Sequence, residues 1–328
     1  PVEVQDFRNR VLREEGLTTE VEAQGARQGR SLVFDLGSES LLEPIAADAD
    51  RFRVTRYDPA RMKLSHRAGV HKYCIAREVI EADVIFNVPK LKTHMKACVT
   101  GALKNLVGIN GDKDFLPHHR KGGSALGGDC YRGFGLMRHV EEELYDLANR
   151  NERNKALSAG LLLPVRLIKK AGDVLGFDTE VEGAWFGNDT IWRTCLDLQR
   201  VLRYGRVDGT LAREPQRTVL SITDAIMAGE GEGPLAPEPV AAGFVTAGLS
   251  TVAVEWVNTR LMGFDPRHIP LLREAMELGG PQGLVTFGPA DVEVRGYPHG
   301  TSLADLKAAL GRPFRAPRGW RGFVELGA

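Results

Sequence analysis

The sequence predicts an α/β protein with a mostly parallel or mixed sheet flanked by helices and interrupted by a helical insertion. Three observations lead there. Short strand-like apolar runs alternate with helix-period segments along the 328 residues, a rhythm that favours parallel pairing. Hydrophobic residues make up 43% and charged residues 26%, enough to bury a core without staples. The strand-like runs also end on punctuation residues, as buried strands do.

In order along the chain, residues 31–36 (SLVFDL) read as a buried strand stopped by Gly37, and 82–88 (ADVIFNV) as a second strand stopped by Pro89. Residues 95–107 are expected to form a helix. Val99, Leu103 and Leu106 fall at i, i+4 and i+7 on one apolar face, with Thr93 as N-cap. Residues 108–128 are turn-rich and polar, long for a mere connection. Helices are expected over 136–155, 190–204, 250–262 and 267–277, the third capped by Ser250 and closed by Gly263. Strands are expected over 219–223, 241–246 and 291–295. The mostly helical stretch 133–185 reads as an insertion in a single α/β domain spanning 1–328, and the Pro-, Arg- and Gly-rich tail 312–322 as a wrap or a frayed end.

Charge and cysteine usage exclude some functions. Lys+Arg and Asp+Glu both number 43, so net charge gives no support for nucleic-acid binding, and the lysine stretch lacks interleaved aromatics for base stacking. Cys74, Cys98, Cys130 and Cys195 are widely spaced with no C-x-x-C pair, unlike a zinc knuckle or an iron–sulfur motif. The first residues lack a signal-peptide apolar core, and no window approaches the ~20 apolar residues that span a bilayer. A cytoplasmic location is expected. Residues 161–175 (LLLPVRLIKKAGDVL) suit a helix packed on the protein body, with peripheral membrane contact as the lesser alternative.

Four motifs carry candidate chemistry. The first, NVPKLKTHMK from Asn87, sits where a strand hands over to a helix, the place where open α/β sheets gather ligands. Lys90, Lys92, His94, Lys96, Lys104 and Asn105 are the expected anion-binding residues. A lysine in a first helical turn is disfavoured unless an anion lies beside it. The second, NGDKDFLPHHR, supplies Asn110 and Arg120 as substrate contacts and His118 or His119 for proton transfer. The third is Asp224 followed by the acidic glycine loop GEGEGP, where Asp224, Glu230 and Glu232 suit Mg²⁺ or Mn²⁺, and where Asp224 or Glu232 serves as a base. The two charged motifs are expected to face one another across one pocket. The fourth, GNDTIWRTCLD, offers Asn188 and Arg193, although capping and an ordinary ion pair also explain it.

These residues also resemble a known family. NVPKLKTHMKACVTGALKNLVGINGDK is similar to the signature of the family called domain of unknown function 362. The resemblance continues in LPHHRKGGSALGGDCYRG, GAWFGNDTIWRTCLDLQR, ITDAIMAGEGEGP and AVEWVNTRLMGFDP, from about Gly37 to Pro270. Many relatives carry a ferredoxin-like module and an iron–sulfur label. This chain lacks the clustered cysteines, so no iron–sulfur cluster is expected. Relatives with the HHR and GND segments resemble those found among cell-surface polysaccharide genes, which implies a sugar-phosphate or nucleotide-sugar substrate. Family members usually begin with further α/β sequence before the part matching Pro1, and that portion is expected to be absent here. The expected function is thus an enzyme, its reaction class open, acting on an anionic metabolite such as a phosphorylated compound or a nucleotide sugar through a Lys/His-rich and Asp/Glu-rich cleft. The alternative is a non-catalytic binding or redox-accessory protein.

Overall fold

A computed structural model describes residues 3–15, 18–23, 29–55, 57–151, 154–175, 182–296 and 301–327. In chain order its elements are β1 (Arg10–Glu15), β2 (Thr18–Ala23), β3 (Ser31–Asp35), β4 (Phe52–Arg53), α1 (Pro59–Ser65), β5 (His66–Arg67), β6 (Val70–Ala76) and α2 (Arg77–Glu81). Next come β7 (Val84–Asn87), β8 (Lys90–His94), β9 (Cys98–Thr100), α3 (Ala102–Asn105), β10 (His119–Arg120), α4 (Leu136–Arg150), α5 (Lys155–Leu175) and α6 (Ile191–Tyr204). The last are β11 (Thr218–Glu232), β12 (Ala236–Val240), β13 (Phe244–Gly248), α7 (Thr251–Leu261), α8 (Pro270–Glu277), β14 (Glu293–Val294) and β15 (Thr301–Ser302). Contacts group these into two compact units, one of Pro1–Glu78 with Gly108–Thr194, the other of Val79–Val107 with Cys195–Ala328.

The second unit carries the main sheet. Its axis is β11, which pairs in parallel with β7 and β8 and antiparallel with β12 and β13; β9 extends the sheet beyond β8. The expected mixed sheet is therefore present, with α7 packed against it. Along β11, Ser221, Thr223 and Ala225 are fully buried while Ile222 and Asp224 are only partly covered. That alternation is the period of a strand with one face against a helical layer. Helix α7 begins as expected, with Ser250 Oγ accepting from the Ala253 amide at 3.3 Å, and ends at Gly263, whose φ of +79° favours glycine.

The first unit holds a three-stranded antiparallel sheet, β3–β6–β5, a β1–β2 hairpin and a short β4–β10 pair. The expected insertion is a hairpin of α4 and α5. Residues 152–153, at the predicted end of the 136–155 helix, lie outside the described residues.

Two expectations are corrected. The helix expected over 95–107 is a β-hairpin, β8–β9, followed by a four-residue helix and a 3₁₀ turn over Leu106–Ile109. The spacing of Val99, Leu103 and Leu106 is real, and all three are buried, but each sits in a different element. Short apolar patterns do not separate strand from helix, and sheet pairing decided this one. Thr93 caps nothing. It lies on β8 and its Oγ1 donates to the Gly231 carbonyl at 2.8 Å. Lys96 occupies the β8–β9 turn, where no helix dipole opposes its charge.

The acidic glycine loop is also a strand. Gly229–Glu232 completes β11, paired with β12, a strand the sequence reading missed. Glycine permits this by close approach: a Cβ on Gly229 would lie 2.8 Å from Pro237 Cβ, and one on Gly233 would lie 2.1 Å from the Thr93 carbonyl oxygen. The motif lies beside β8 in the same sheet, with Gly229 registered against Lys92, and not across a pocket from it. Replacing Gly233 with Ala pushes a methyl into backbone that cannot swing aside. Urea unfolding of Gly233→Ala is expected to show a loss of about 1–3 kcal/mol; an unchanged midpoint would contradict this packing.

Candidate functional site

Within the second unit the polar chemistry gathers between the sheet and α7. Glu255, on α7, is fully buried, and its Oε2 accepts from the Ala102 amide at 2.6 Å, where α3 begins. A Cβ on Gly101 would stand 2.4 Å from that oxygen, so the glycine is what lets the carboxylate reach the chain. Burial pushes the Glu255 carboxyl up to about 7, against the lowering pull of the Ala102 amide. Asn87 ties the same helix to the sheet. Its Nδ2 donates to the Ala102 carbonyl at 2.8 Å and to Ser221 Oγ at 3.1 Å, while its Oδ1 accepts from Asn105 Nδ2 at 2.7 Å. Asn258, one helical turn from Glu255, donates to Thr223 Oγ1 at 3.0 Å and accepts from Thr246 Oγ1 at 2.5 Å.

Helix α3 carries Lys104. This lysine is 8% exposed, and no carboxylate among the described residues lies within ion-pairing distance of it. Burial pushes its ammonium below the ordinary lysine value; the Cys195 thiol opposes that shift and Lys96 adds to it. Burial in turn lifts the Cys195 thiol to about 11. His94 is buried, and its Nδ1 accepts from the amides of Lys96 at 3.0 Å and Ala97 at 3.3 Å. That places the ring proton of the neutral form on Nε2. Lys92 is half-buried on β8.

The other charges of the motifs are paired off. Lys90 bonds to Asp224 on β11, and that bond holds the Asp224 carboxyl below its usual range. Burial tends to raise Glu230, but Arg312 at 2.9 Å and the Arg315 amide at 2.9 Å reverse this and leave it lowered. Glu232 accepts from the Arg318 amide at 2.8 Å, with Arg321 at 3.4 Å. The C-terminal tail thus wraps over this unit, and Trp320 Nε1 donates to the Met95 carbonyl at 2.6 Å. Asp224, Glu230 and Glu232, expected to hold a divalent metal, are instead held by these cations. Among the described residues no group of three or more His, Cys, Asp or Glu side chains is placed to hold a metal ion.

In the first unit the remaining candidates build the chain around one buried carboxylate. Asp129, 2% exposed, accepts from the Arg120 amide, from Thr190 Oγ1 at 2.6 Å and from the Asp189 amide at 3.1 Å, with Arg120 Nε at 3.5 Å. Burial raises its pKa against those hydrogen bonds. Asn188 caps α6: its Oδ1 accepts from the amides of Thr190 and Ile191 at 3.0 Å each, while its Nδ2 donates to the carbonyls of His118 and Gly183. Arg193 stacks 4.4 Å from the Trp192 ring centroid, pairs with Asp189 and donates to the Leu41 carbonyl. Asn110 accepts from the Cys74 amide and donates to the Asp112 carbonyl. His118 Nδ1 lies 2.7 Å from the Leu116 carbonyl, and His119, buried on β10, lines a cavity of about 40 Å³ with Arg53, Lys121, Cys130 and Glu142.

Sequence reasoning overlooked Glu255, Asn258 and Asp129. The first two carried a signal: an acid and an amide three residues apart inside an otherwise apolar helix, STVAVEWVNTRLM, mark a buried polar face. Asp129 lay after a GG turn with nothing to separate it from a loop acid.

The model of the family described as Domain of unknown function (DUF362) matches residues 9–260. No curated protein and no solved structure matches the chain.

The Glu255 carboxyl generates a pH prediction. Its folded value, about 7, lies above the ordinary 4.5. Between those values the folded chain binds the proton more tightly than the unfolded chain. Stability from this group is therefore fullest at low pH and is lost as pH rises through about 7, on the order of 3 kcal/mol. Glu255→Gln keeps the shape and an acceptor for Ala102 but cannot ionise. Denaturant unfolding from about pH 5 to about pH 8 is expected to show wild type losing stability relative to the variant. Parallel profiles would contradict a buried, upward-shifted carboxyl.

Proposed function

Because the chain belongs to the DUF362 family, in which the residues around Lys104 form part of the resemblance noted in the sequence, we propose that it is an enzyme binding an anionic, phosphorylated metabolite at Lys104. The observation that carries this reading is the buried Lys104 ammonium without a carboxylate partner. A buried charge normally has a counter-ion, because removing an ion from water is penalised by several kcal/mol. The acids of the adjacent motif are engaged with other cations, Asp224 with Lys90 and Glu230 and Glu232 with the tail arginines. A phosphate or carboxylate from solution supplies the missing charge.

Lys96 and Lys92, on the same hairpin, add positive potential for such a ligand. A lysine with a lowered pKa also suits chemistry, since a larger fraction is neutral amine able to take a proton or attack a carbonyl. A sugar phosphate or nucleotide sugar remains the substrate class that the family resemblance favours. The second reading, a non-catalytic binding protein, is favoured by the pairing of Asp224, Glu230 and Glu232, which leaves those acids no free role as bases.

Lys104→Met separates an anion receptor from a structural lysine. Methionine fills similar volume without a charge, so the unliganded variant is expected to melt at or above the wild-type temperature. Wild type should be stabilised by millimolar phosphate or sugar nucleotides, by about 1–3 kcal/mol near saturation, and the variant should not. An equal thermal shift in both proteins would overturn the assignment. Turnover of a sugar nucleotide by wild type alone would select the enzyme over the binding protein.

A further inference from the structure

Helix α5 in the first unit buries Val165 but leaves a second apolar face uncovered and turns one lysine inward. In a helix packed on a water-soluble body, charges face outward and leucines inward. Here Leu163 is 52% exposed and Leu167 61%, while Lys169 points inward to Glu141 at 3.6 Å and Glu182 at 3.9 Å, its ammonium 5.3 Å from the Tyr145 ring centroid. Burial of Lys169 is outweighed by these acids, which raise its pKa, so the inward charge is fixed. Its neighbour α4 repeats the pattern. Leu136, Met137 and Val140 are exposed, whereas Glu141, Glu142 and Asp146 are buried.

The outward arc of α5 is continuous. Ala156, Gly160, Leu163 and Leu167 recur at i, i+4, i+7 and i+11, which stacks them along one stripe, and all four are exposed. At 3.6 residues per turn Lys155, Arg166 and Lys170, also exposed, fall along one flank of that stripe. From Lys155 to Lys170 the helix contains four basic residues and no acidic one. Among the described residues no helix is long and apolar enough to cross a membrane. An apolar stripe with a cationic border is the pattern of a helix lying in the plane of a lipid surface.

We propose that α5 is a peripheral docking surface for an anionic membrane. The leucine stripe enters the boundary between headgroups and acyl chains, while Lys155, Arg166 and Lys170 meet anionic headgroups. The absence of acidic residues over this length is the complementarity that favours lipid over a protein partner, whose surface would carry both signs. The inward Lys169 is spared desolvation by lipid because Glu141 and Glu182 already neutralise it. The inference is independent of Lys104 and of the proposed substrate.

Flotation of the full chain with phosphatidylcholine vesicles, with and without phosphatidylserine, tests it. Wild type is expected to float with the anionic vesicles, less so as salt rises. Leu163→Glu combined with Leu167→Glu should reduce the partition by about tenfold or more, and so should Arg166→Glu combined with Lys170→Glu. All four positions are exposed, and unchanged thermal melts would verify folding of the variants. Failure of wild type to float on anionic vesicles would overturn the proposal, as would flotation of both variants to the same extent as wild type. A wild-type dimer that the leucine variant dissociates, without any lipid affinity, would also overturn it and assign the stripe to a second copy of this chain.

Discussion

A carboxylate with no access to water, Glu255, holds the start of α3, and much of the second unit depends on that contact. The Ala102 amide needs an acceptor because a helix start leaves its first N–H groups unpaired. Glu255 supplies one from α7 at 2.6 Å, through the space that Gly101 leaves open. Asn87 takes the Ala102 carbonyl from the opposite side and carries the link on to Ser221 in β11. A four-residue helix has little stability of its own. These side-chain clamps fix it, and with it the position of Lys104. The carboxyl is lifted to about 7, so the clamp works against its own desolvation over part of the neutral range.

Charge balance explains why one lysine stands apart. The chain has equal numbers of acidic and basic residues, and the motifs rich in each lie on adjacent strands. Lys90 reaches Asp224 across that pairing, and the C-terminal tail brings arginines to Glu230 and Glu232. The exposed Lys90–Asp224 pair contributes little to stability. The consequence of these contacts is to leave the acids of these two motifs paired with lysine and arginine from within the chain. The tail also closes over β8 through Trp320, which is 1% exposed and bonded to the Met95 carbonyl.

The sequence disclosed the mixed sheet, the helical insertion and α7 with both its caps, because each rests on a strong local signal: β-branched runs, long amphipathic periods, Ser250 and Gly263. It misread the stretch from Lys90 to Leu106. There the apolar spacing fits a helix as well as a hairpin, and the choice was made by pairing with β11, more than a hundred residues later. The same non-local partner turned the glycine loop into a strand. For the site, residue types were a better guide than roles. Asn188, Arg193 and Asn110 are polar and sit in conspicuous motifs because they cap, stack and bridge backbone. Lys104 stood in the expected cluster, but its burial, the property that distinguishes it from Lys90, exists only in three dimensions.

The most direct measurement is the ionisation of Lys104 itself, followed through the ¹³Cε shift of labelled lysine assigned with Lys104→Met, with and without saturating phosphate. The account predicts a pKa below the ordinary lysine value in the free protein, rising when the anion binds, because a nearby opposite charge favours the ammonium. A Lys104 that titrates as an ordinary lysine, or one whose titration phosphate leaves unmoved, would contradict the claim that this buried cation awaits an anion from outside the chain.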